Sequence, residues 1–163
     1  MRAPFPLSAA GLVGQDAAGD WILADCASAG IDTAQLRQTG KAPTSYTDAM
    51  TVAGTGRRTF FHHRGANALL GRGDIDFSAT PARWFHLAYL MLLDEMDREL
   101  PEGGTVAAQV LQEAQAAGLK TSVDMVSTEH SRFREIGDAA LPHTDVLILN
   151  EIEAGKMTGA DLR

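Results

Sequence analysis

The chain has 163 residues, of which 45% are hydrophobic and 21% charged, a composition typical of one globular domain or of part of a larger enzyme. The single cysteine, Cys26, excludes an internal disulfide framework and a zinc site built from several cysteines. The net charge of -7 arises in residues 94–163, which carry 14 acidic and 6 basic residues, whereas residues 1–93 carry 7 and 8.

Charge and hydropathy also limit the partners and the location of the protein. Binding to a nucleic-acid backbone depends on Lys and Arg, so an acidic chain predicts no nucleic-acid partner. The longest apolar run, at residues 87–93, is far shorter than the roughly 20 residues of a membrane-spanning helix, and no signal peptide follows Met1. We therefore expect a cytoplasmic protein without a membrane partner.

The first half of the chain predicts a strand, a helix, a second extended stretch and a hairpin. Residues 7–13 form a short apolar strand, and Asp16 is a suitable N-cap for a helix over residues 17–29. This helix turns Trp21, Ile22, Cys26 and Ala29 to one inward face. Gly30 ends this helix, and an extended stretch begins at residue 31. Strand-forming residues at 45–53 and 57–63, joined through Gly54-Thr55-Gly56, predict the hairpin.

The second half alternates strands with helices. Residues 84–92 are nearly all apolar, which is typical of a parallel strand buried on both faces, although the final part of the run is equally typical of a helix start. The run of Asp94, Glu95, Asp97 and Glu99 indicates a solvated loop or helix end. Helices are then predicted at about 105–117, 129–139 and 151–157, with strands at 119–125 and 146–149 between them. This order favours an α/β fold with a parallel, doubly wound sheet.

Ligands of such sheets bind beyond the carboxyl ends of the strands, which directs attention to two groups of residues. Asp124 and Ser127 follow one predicted strand, and Asn150 and Glu153 follow the next. Carboxylate and amide oxygens can hold a hydrated magnesium ion. The spacing alone favours a structural helix cap over a metal site, because Asn is a favoured N-cap and Glu a favoured residue of the first turn.

The hairpin region carries a second candidate site. Residues 49–73 contain no acidic residue and include several basic ones: Arg57, Arg58, His62, His63, Arg64 and Arg72. The interval is either a basic face in solvent or a site for an anion.

Several strings of the chain resemble, in order and spacing, the ribokinase-like (PfkB) carbohydrate kinases. They are GLVGQDAAGDWI, AGID, APT, FFHHRGAN, TSVDMVS and DVLILNEIEAGKMTG, of which residues 14–19, 64–67 and 150–159 are the most specific. The resemblance implies a ribokinase-like α/β fold in which residues 1–163 form part of one kinase domain, with a small β-lid at about 45–63. It also implies ATP-dependent phosphorylation of a hydroxyl group on a sugar or a related small molecule.

The resemblance assigns roles to five residues. Asn150 and Glu153 would bind Mg²⁺ and the ATP phosphates, directly or through water. Arg64 and Asn67 would reach from the lid to the substrate. Asp124 would face the active cleft, although the Asp-Pro-Asn-x-Arg of some relatives is replaced by Asp-Met-Val-Ser here.

Two motifs of the family are absent from the 163 residues: the amino-terminal strand with its substrate-binding Asp, and the Gly-Ala-Gly-Asp motif with the catalytic base. The base is therefore expected beyond Arg163, no residue of this segment is assigned to that role, and the segment alone is expected to be inactive. The alternative is a non-catalytic, truncated kinase fold used for binding or for homodimerisation through the β-lid.

Overall fold

The computed structural model describes residues 5–162, which form two compact units that divide after Leu69. The first unit contains, in order, strand β1 (Ser8–Gly14), helix α1 (Ala17–Ser28), strand β2 (Asp32–Thr39), strand β3 (Tyr46–Thr51) and strand β4 (Arg58–His63). Strands β1 and β2 pair in parallel through the α1 crossover. The predicted strand, helix and extended stretch are confirmed.

Helix α1 begins where the sequence predicts but exposes more of its surface than expected. Asp16 caps it by accepting a hydrogen bond from Gly19 N at 2.8 Å, and Gly30 follows the helix with a φ of 77°. Trp21 is 66% exposed, and Gly19 is the buried residue of the helix. The prediction that Trp21 faces inward is therefore wrong.

Strands β3 and β4 form the predicted antiparallel hairpin. Their register pairs Tyr46 with His63 at the open end and Thr51 with Arg58 next to the turn. The turn is closed by a hydrogen bond from Val52 N to Arg57 O at 2.8 Å, and Gly56 in it has a φ of 70°. Every residue of β3 is exposed, and a short 3₁₀ helix (Gly65–Leu69) follows β4.

The second unit is a three-stranded parallel sheet with its helices in the crossovers. Its elements are strand β5 (Trp84–Leu90), helix α2 (Val106–Ala116), strand β6 (Lys120–Met125), helix α3 (Phe133–Ala140), strand β7 (Val146–Ile148) and helix α4 (Glu151–Thr158). The strand order is β5-β6-β7, all parallel. Short 3₁₀ helices precede β5 and β7: Arg72–Asp74, Phe77–Ala79 and Leu141–His143. The parallel α/β class is confirmed.

The core of this unit lies on one face of the sheet. Leu87, Val123 and Met125 of the strands are at most 3% exposed, and α2 and α3 contribute fully buried residues to the same core, among them Val110, Leu111 and Ile136. A Cβ on Gly137 of α3 would lie 3.3 Å from Met125 Cε, which places α3 against this face.

The opposite face of the sheet is open in the described chain. Trp84 of β5 is 51% exposed and Ile148 of β7 is 49% exposed. Trp84 and His86 on this face both bond to Ser122 Oγ of β6, at 2.7 and 2.9 Å. The expectation that the apolar strand at 84–92 is buried on both faces is therefore wrong for Trp84 and His86.

Helix α3 begins four residues later than predicted. Before it, Arg132 N donates to His130 Nδ1 at 3.1 Å, and Lys156 of α4 donates to Thr128 O at 2.7 Å. The bond to His130 engages the N–H of Arg132 locally, and a turn at residues 131–132 precedes the helix. No helix within residues 5–162 is long and apolar enough to cross a membrane.

Candidate functional site

The carboxyl ends of β6 and β7 bring together the two groups of residues that the sequence places after these strands. Because β6 and β7 run in parallel with Asp124 opposite Ile148, the segments that follow them leave the sheet at the same edge. There Asn150 Nδ2 donates to Ser127 Oγ at 2.7 Å, and Ser127 Oγ donates to Glu153 Oε1 at 2.7 Å. We call Ser127, Asn150 and Glu153 the strand-end cluster.

Asn150 and Glu153 form a complete capping box at the start of α4. Asn150 Oδ1 accepts hydrogen bonds from the backbone N–H groups of Ile152 and Glu153, both at 2.9 Å. In return, Glu153 Oε2 accepts a bond from Asn150 N at 2.9 Å. The helix cap that the spacing of Asn150 and Glu153 predicts as one alternative is therefore present, and it satisfies three backbone donors at the start of α4.

Glu153 is a buried carboxylate, with 4% of its surface exposed. Besides the bond to Asn150 N, its Oε1 receives hydrogen bonds from Ser127 Oγ and, at 2.8 Å, from Asn150 Nδ2. Buried charges persist in proteins when they are paired or hydrogen-bonded, and here three donors and a helix N-terminus stabilise the negative charge. The carboxylate is thereby held in one orientation.

Ser127 joins the two groups but is not among the residues assigned a role from the sequence. In the sequence, Ser127 is marked only by its position three residues after Asp124, beyond the end of a predicted strand. Lys156 supports this loop from α4, since its ammonium group bonds Thr128 O and Glu129 Oε1, both at 2.7 Å. Residues 127–129 of the loop after β6 are thus bonded to α4.

Asp124 lies at the same edge of the sheet and is half-buried. Its Oδ1 accepts a hydrogen bond from Met125 N at 2.9 Å. Because side chains alternate along a strand, Asp124 shares the open face with Ser122, whereas Met125 faces the core.

The loop after β5 contains a buried carboxylate that the sequence analysis places in solvent. Asp97 is 7% exposed, and its Oδ1 accepts a hydrogen bond from Met91 N at 3.1 Å. Met91 is fully buried and has a φ of 77°, in the left-handed region that L-residues rarely occupy. The prediction that this acidic run is solvated is therefore wrong for Asp97, which stabilises the strained backbone at the end of β5.

Arg64 and Asn67 lie at the end of the hairpin, in the first unit. Both are half-buried, and Asn67 N donates to Arg64 O at 3.0 Å within the turn that follows β4. They are close in the chain and in space.

The hairpin carries a positive electrostatic environment. The pKa of His62 is lowered, first by burial and then by the charges of Arg64 and His63. The Arg58 guanidinium lies 5.5 Å from the centre of the Phe60 ring. Arg58 begins β4 and Arg64 follows its last residue, and the charge of Arg64 disfavours a proton on His62.

The residues present fit a magnesium ion that keeps its water shell. Glu153 Oε2 accepts a single hydrogen bond, from Asn150 N, and so retains acceptor capacity for a water of such an ion, whereas Asn150 Oδ1 already accepts two bonds. Magnesium dehydrates reluctantly and is commonly bound through one or two carboxylates together with phosphates. Among residues 5–162 no three His, Cys, Asp or Glu side chains gather as a metal-binding group.

The comparisons with known proteins agree with the topology. A family model described as pfkB family carbohydrate kinase matches residues 5–163, and the chain belongs to this family. The fold is similar to that of ribokinase from Giardia lamblia, with a TM-score of 0.78 and 21% identity over 98% of this chain and 47% of that chain.

Fructokinase from Xylella fastidiosa is similar as well, with a TM-score of 0.75 and 24% identity over 97% of this chain and 49% of that chain. A structure of that fructokinase with bound ATP gives a TM-score of 0.71 and 24% identity over 93% of this chain and 48% of that chain. The chain thus has a ribokinase-like fold and spans about half the length of the solved structures it matches.

Proposed function

We propose that this chain is part of an ATP-dependent carbohydrate kinase that phosphorylates a hydroxyl group of a sugar, and that both units belong to one ribokinase-like domain. The observation that supports this most strongly is the strand-end cluster. It places a buried, oriented carboxylate at the carboxyl ends of two parallel strands in a chain that belongs to the pfkB family. Ligands of parallel α/β sheets bind at this edge.

In this proposal the strand-end cluster helps to bind Mg²⁺ and the phosphates of ATP. Glu153 would accept hydrogen bonds from the water shell of Mg²⁺ through Oε2, and Asn150 and Ser127 keep its carboxylate in place. The ion, when bound with ATP, neutralises charge on the phosphates during transfer. The cluster itself contributes a negatively charged carboxylate in a fixed orientation, because the hydrogen bonds of Glu153 are already formed within the protein.

Arg64, Asn67 and Asp124 are the proposed substrate contacts. A guanidinium and an amide supply donors for sugar hydroxyl or acid oxygens, and a carboxylate accepts from hydroxyl groups. The Gly-Ala-Gly-Asp string that the resemblance associates with the catalytic base does not occur in these 163 residues. We therefore propose that these residues alone do not turn over substrate.

The test measures ADP formation by the product of the whole gene, in a coupled assay with a panel of neutral sugars and sugar acids. We expect sugar-dependent ADP formation that requires Mg²⁺. In addition, Glu153→Gln should raise the Mg²⁺ concentration needed for half-maximal activity, while Glu151→Gln in the same helical turn should not. Absence of sugar-dependent ADP formation across the panel, together with no binding of a non-hydrolysable ATP analogue, would contradict the proposal.

A second function, self-association through the hairpin, is supported by three exposed apolar side chains on the face that also carries Asp48. Side chains alternate along paired strands, so Tyr46, Met50 and Phe61 share one face, as the stacking of Tyr46 on His63 at 5.2 Å also indicates. These three side chains are 57%, 61% and 60% exposed. A two-stranded hairpin is marginally stable in water unless one face is covered.

Phe60 provides the matched control, because it lies on the opposite face of the same strand and is 57% exposed. We expect Phe61→Ser to shift the protein toward monomer in sedimentation equilibrium, and Phe60→Ser to have a smaller effect. A wild-type protein that is monomeric at all concentrations, or an equal effect of the two substitutions, would contradict homodimerisation through this face.

A further inference from the structure

The side chain of Asp16 connects two segments that are far apart in the sequence. Its Oδ1 accepts hydrogen bonds from Gly19 N at 2.8 Å and from Thr44 Oγ1 at 2.6 Å, and its Oδ2 accepts one from Thr44 N at 2.8 Å. Thr44 Oγ1 also accepts a bond from Gly14 N at 2.9 Å. The end of β1 and the start of α1 are thereby joined to the residues just before the hairpin.

Those residues in turn hold the segment just after the hairpin. Ala66 is fully buried, and its N–H donates to Pro43 O at 2.8 Å. A Cβ on Gly65 would lie 2.4 Å from Pro43 O and 3.0 Å from Ser45 N, so the two segments touch through their backbones. We call residues 43–45 and 64–66 together the hairpin base.

The hairpin has little else to fix its position. All six residues of β3 are exposed, and so are all residues of β4 except the half-buried His62. An isolated two-stranded sheet gains little from packing. The geometry of the strands, and of Arg64 at their end, therefore depends on the hairpin base and on what holds it.

We propose that Asp16 and Thr44 are positioning residues that fix the hairpin base, and through it the hairpin and the side chains of Arg64 and Asn67. The claim about the hairpin stands on the geometry of the first unit. Its consequence for substrate binding rests on the proposed function. Asp16 is thus more than the N-cap of α1, because two hydrogen bonds join its carboxylate to Thr44.

The carboxylate form of Asp16 suits this role. Its pKa is lowered, first by the hydrogen bond from the Thr44 side chain and then by those from the backbone of Thr44 and of Gly19. The group is therefore charged at neutral pH, and charge-assisted hydrogen bonds are about twice as strong as neutral ones.

Asp16→Asn separates the two roles of the residue. Asn caps helices as well as Asp does, so its side-chain oxygen can still accept from Gly19 N. Its amide nitrogen, however, meets Thr44 N, a second donor, where the carboxylate had an acceptor. The substitution thus keeps the cap and breaks one connection to the hairpin base.

The first test is hydrogen exchange by mass spectrometry on the 163-residue chain. We expect Asp16→Asn and Thr44→Val to raise exchange in peptides from residues 46–63 by roughly 10- to 100-fold, as the loss of a hydrogen bond to a charged group predicts. Peptides from residues 120–125, in the second unit, should be unchanged. Thr44→Ser, which keeps the hydroxyl, should behave as the wild type does.

The second test uses the whole gene product and the sugar that supports ADP formation. Both Asp16→Asn and Thr44→Val should raise KM for the sugar more than KM for ATP, and Thr44→Ser should restore it. Unchanged exchange in residues 46–63, or an equal increase in residues 120–125, would overturn the proposal. Because exchange needs no turnover, its result holds even if the kinase activity is not found.

Discussion

The buried carboxylate of Glu153 allows a quantitative test of the strand-end cluster. In Glu153→Gln one of the two carboxylate oxygens becomes an NH₂ group. If that group faces Asn150 N, two donors oppose each other; if the side chain flips, it faces the donors Ser127 Oγ and Asn150 Nδ2 instead. In either orientation at least one hydrogen-bonding group is left without a partner.

The expected cost follows from these contacts. An unsatisfied buried polar group costs about 1 to 3 kcal/mol, and loss of the charge at the helix N-terminus adds roughly 0.3 to 1 kcal/mol. We expect the free energy of unfolding of the second unit to fall by about 1.3 to 4 kcal/mol.

Urea denaturation followed by tryptophan fluorescence measures the effect. In a Trp21→Phe background, Trp84 reports on the second unit. Glu151→Gln is the matched control, because Glu151 is exposed and lies in the same first turn, so it should lose only the dipole contribution of at most about 1 kcal/mol. Equal losses for the two variants would show that the hydrogen bonds of Glu153 do not stabilise the unit, and the reasoning would be refuted.

Three other properties can be tested by the same denaturation method. Hydrogen bonding to Lys120, first among several contacts, lowers the pKa of Asp145 to about 2 from 3.8. The stability that this adds is complete above about pH 4 and is lost as the pH falls through 2. Asp145→Asn should therefore flatten the dependence of the free energy of unfolding on pH in that window. Leu111→Ala, at a fully buried position of α2, should cost about 2 to 5 kcal/mol; a loss below 1 kcal/mol would contradict the packing. Gly19→Ala places a Cβ 2.1 Å from a backbone carbonyl oxygen and should destabilise the first unit by about 1 to 3 kcal/mol, whereas Gly54→Ala, with open space around it, should be neutral; equal effects would count against the close packing of the β1–α1 turn.

The sequence by itself determined the order and type of the principal elements and the family. Alternation of apolar runs with helical segments, and punctuation by residues such as Asp16 and Gly30, act locally, so the chain order reveals them. The motifs that carry the family resemblance are local as well, because residues 150–159 contain both the start and the end of one helix.

The tertiary structure alone decided which side chains meet and which are buried. Ser127 joins Asn150 and Glu153 because β6 and β7 are parallel neighbours, which no local pattern specifies. Asp97 is buried where its loop folds back on Met91. Trp84 is exposed although its segment is apolar, because burial depends on what packs above a residue rather than on the residue itself. The same reason hides the second role of Asp16 from the sequence: its cap to Gly19 is local, whereas its bonds to Thr44 cross 28 residues.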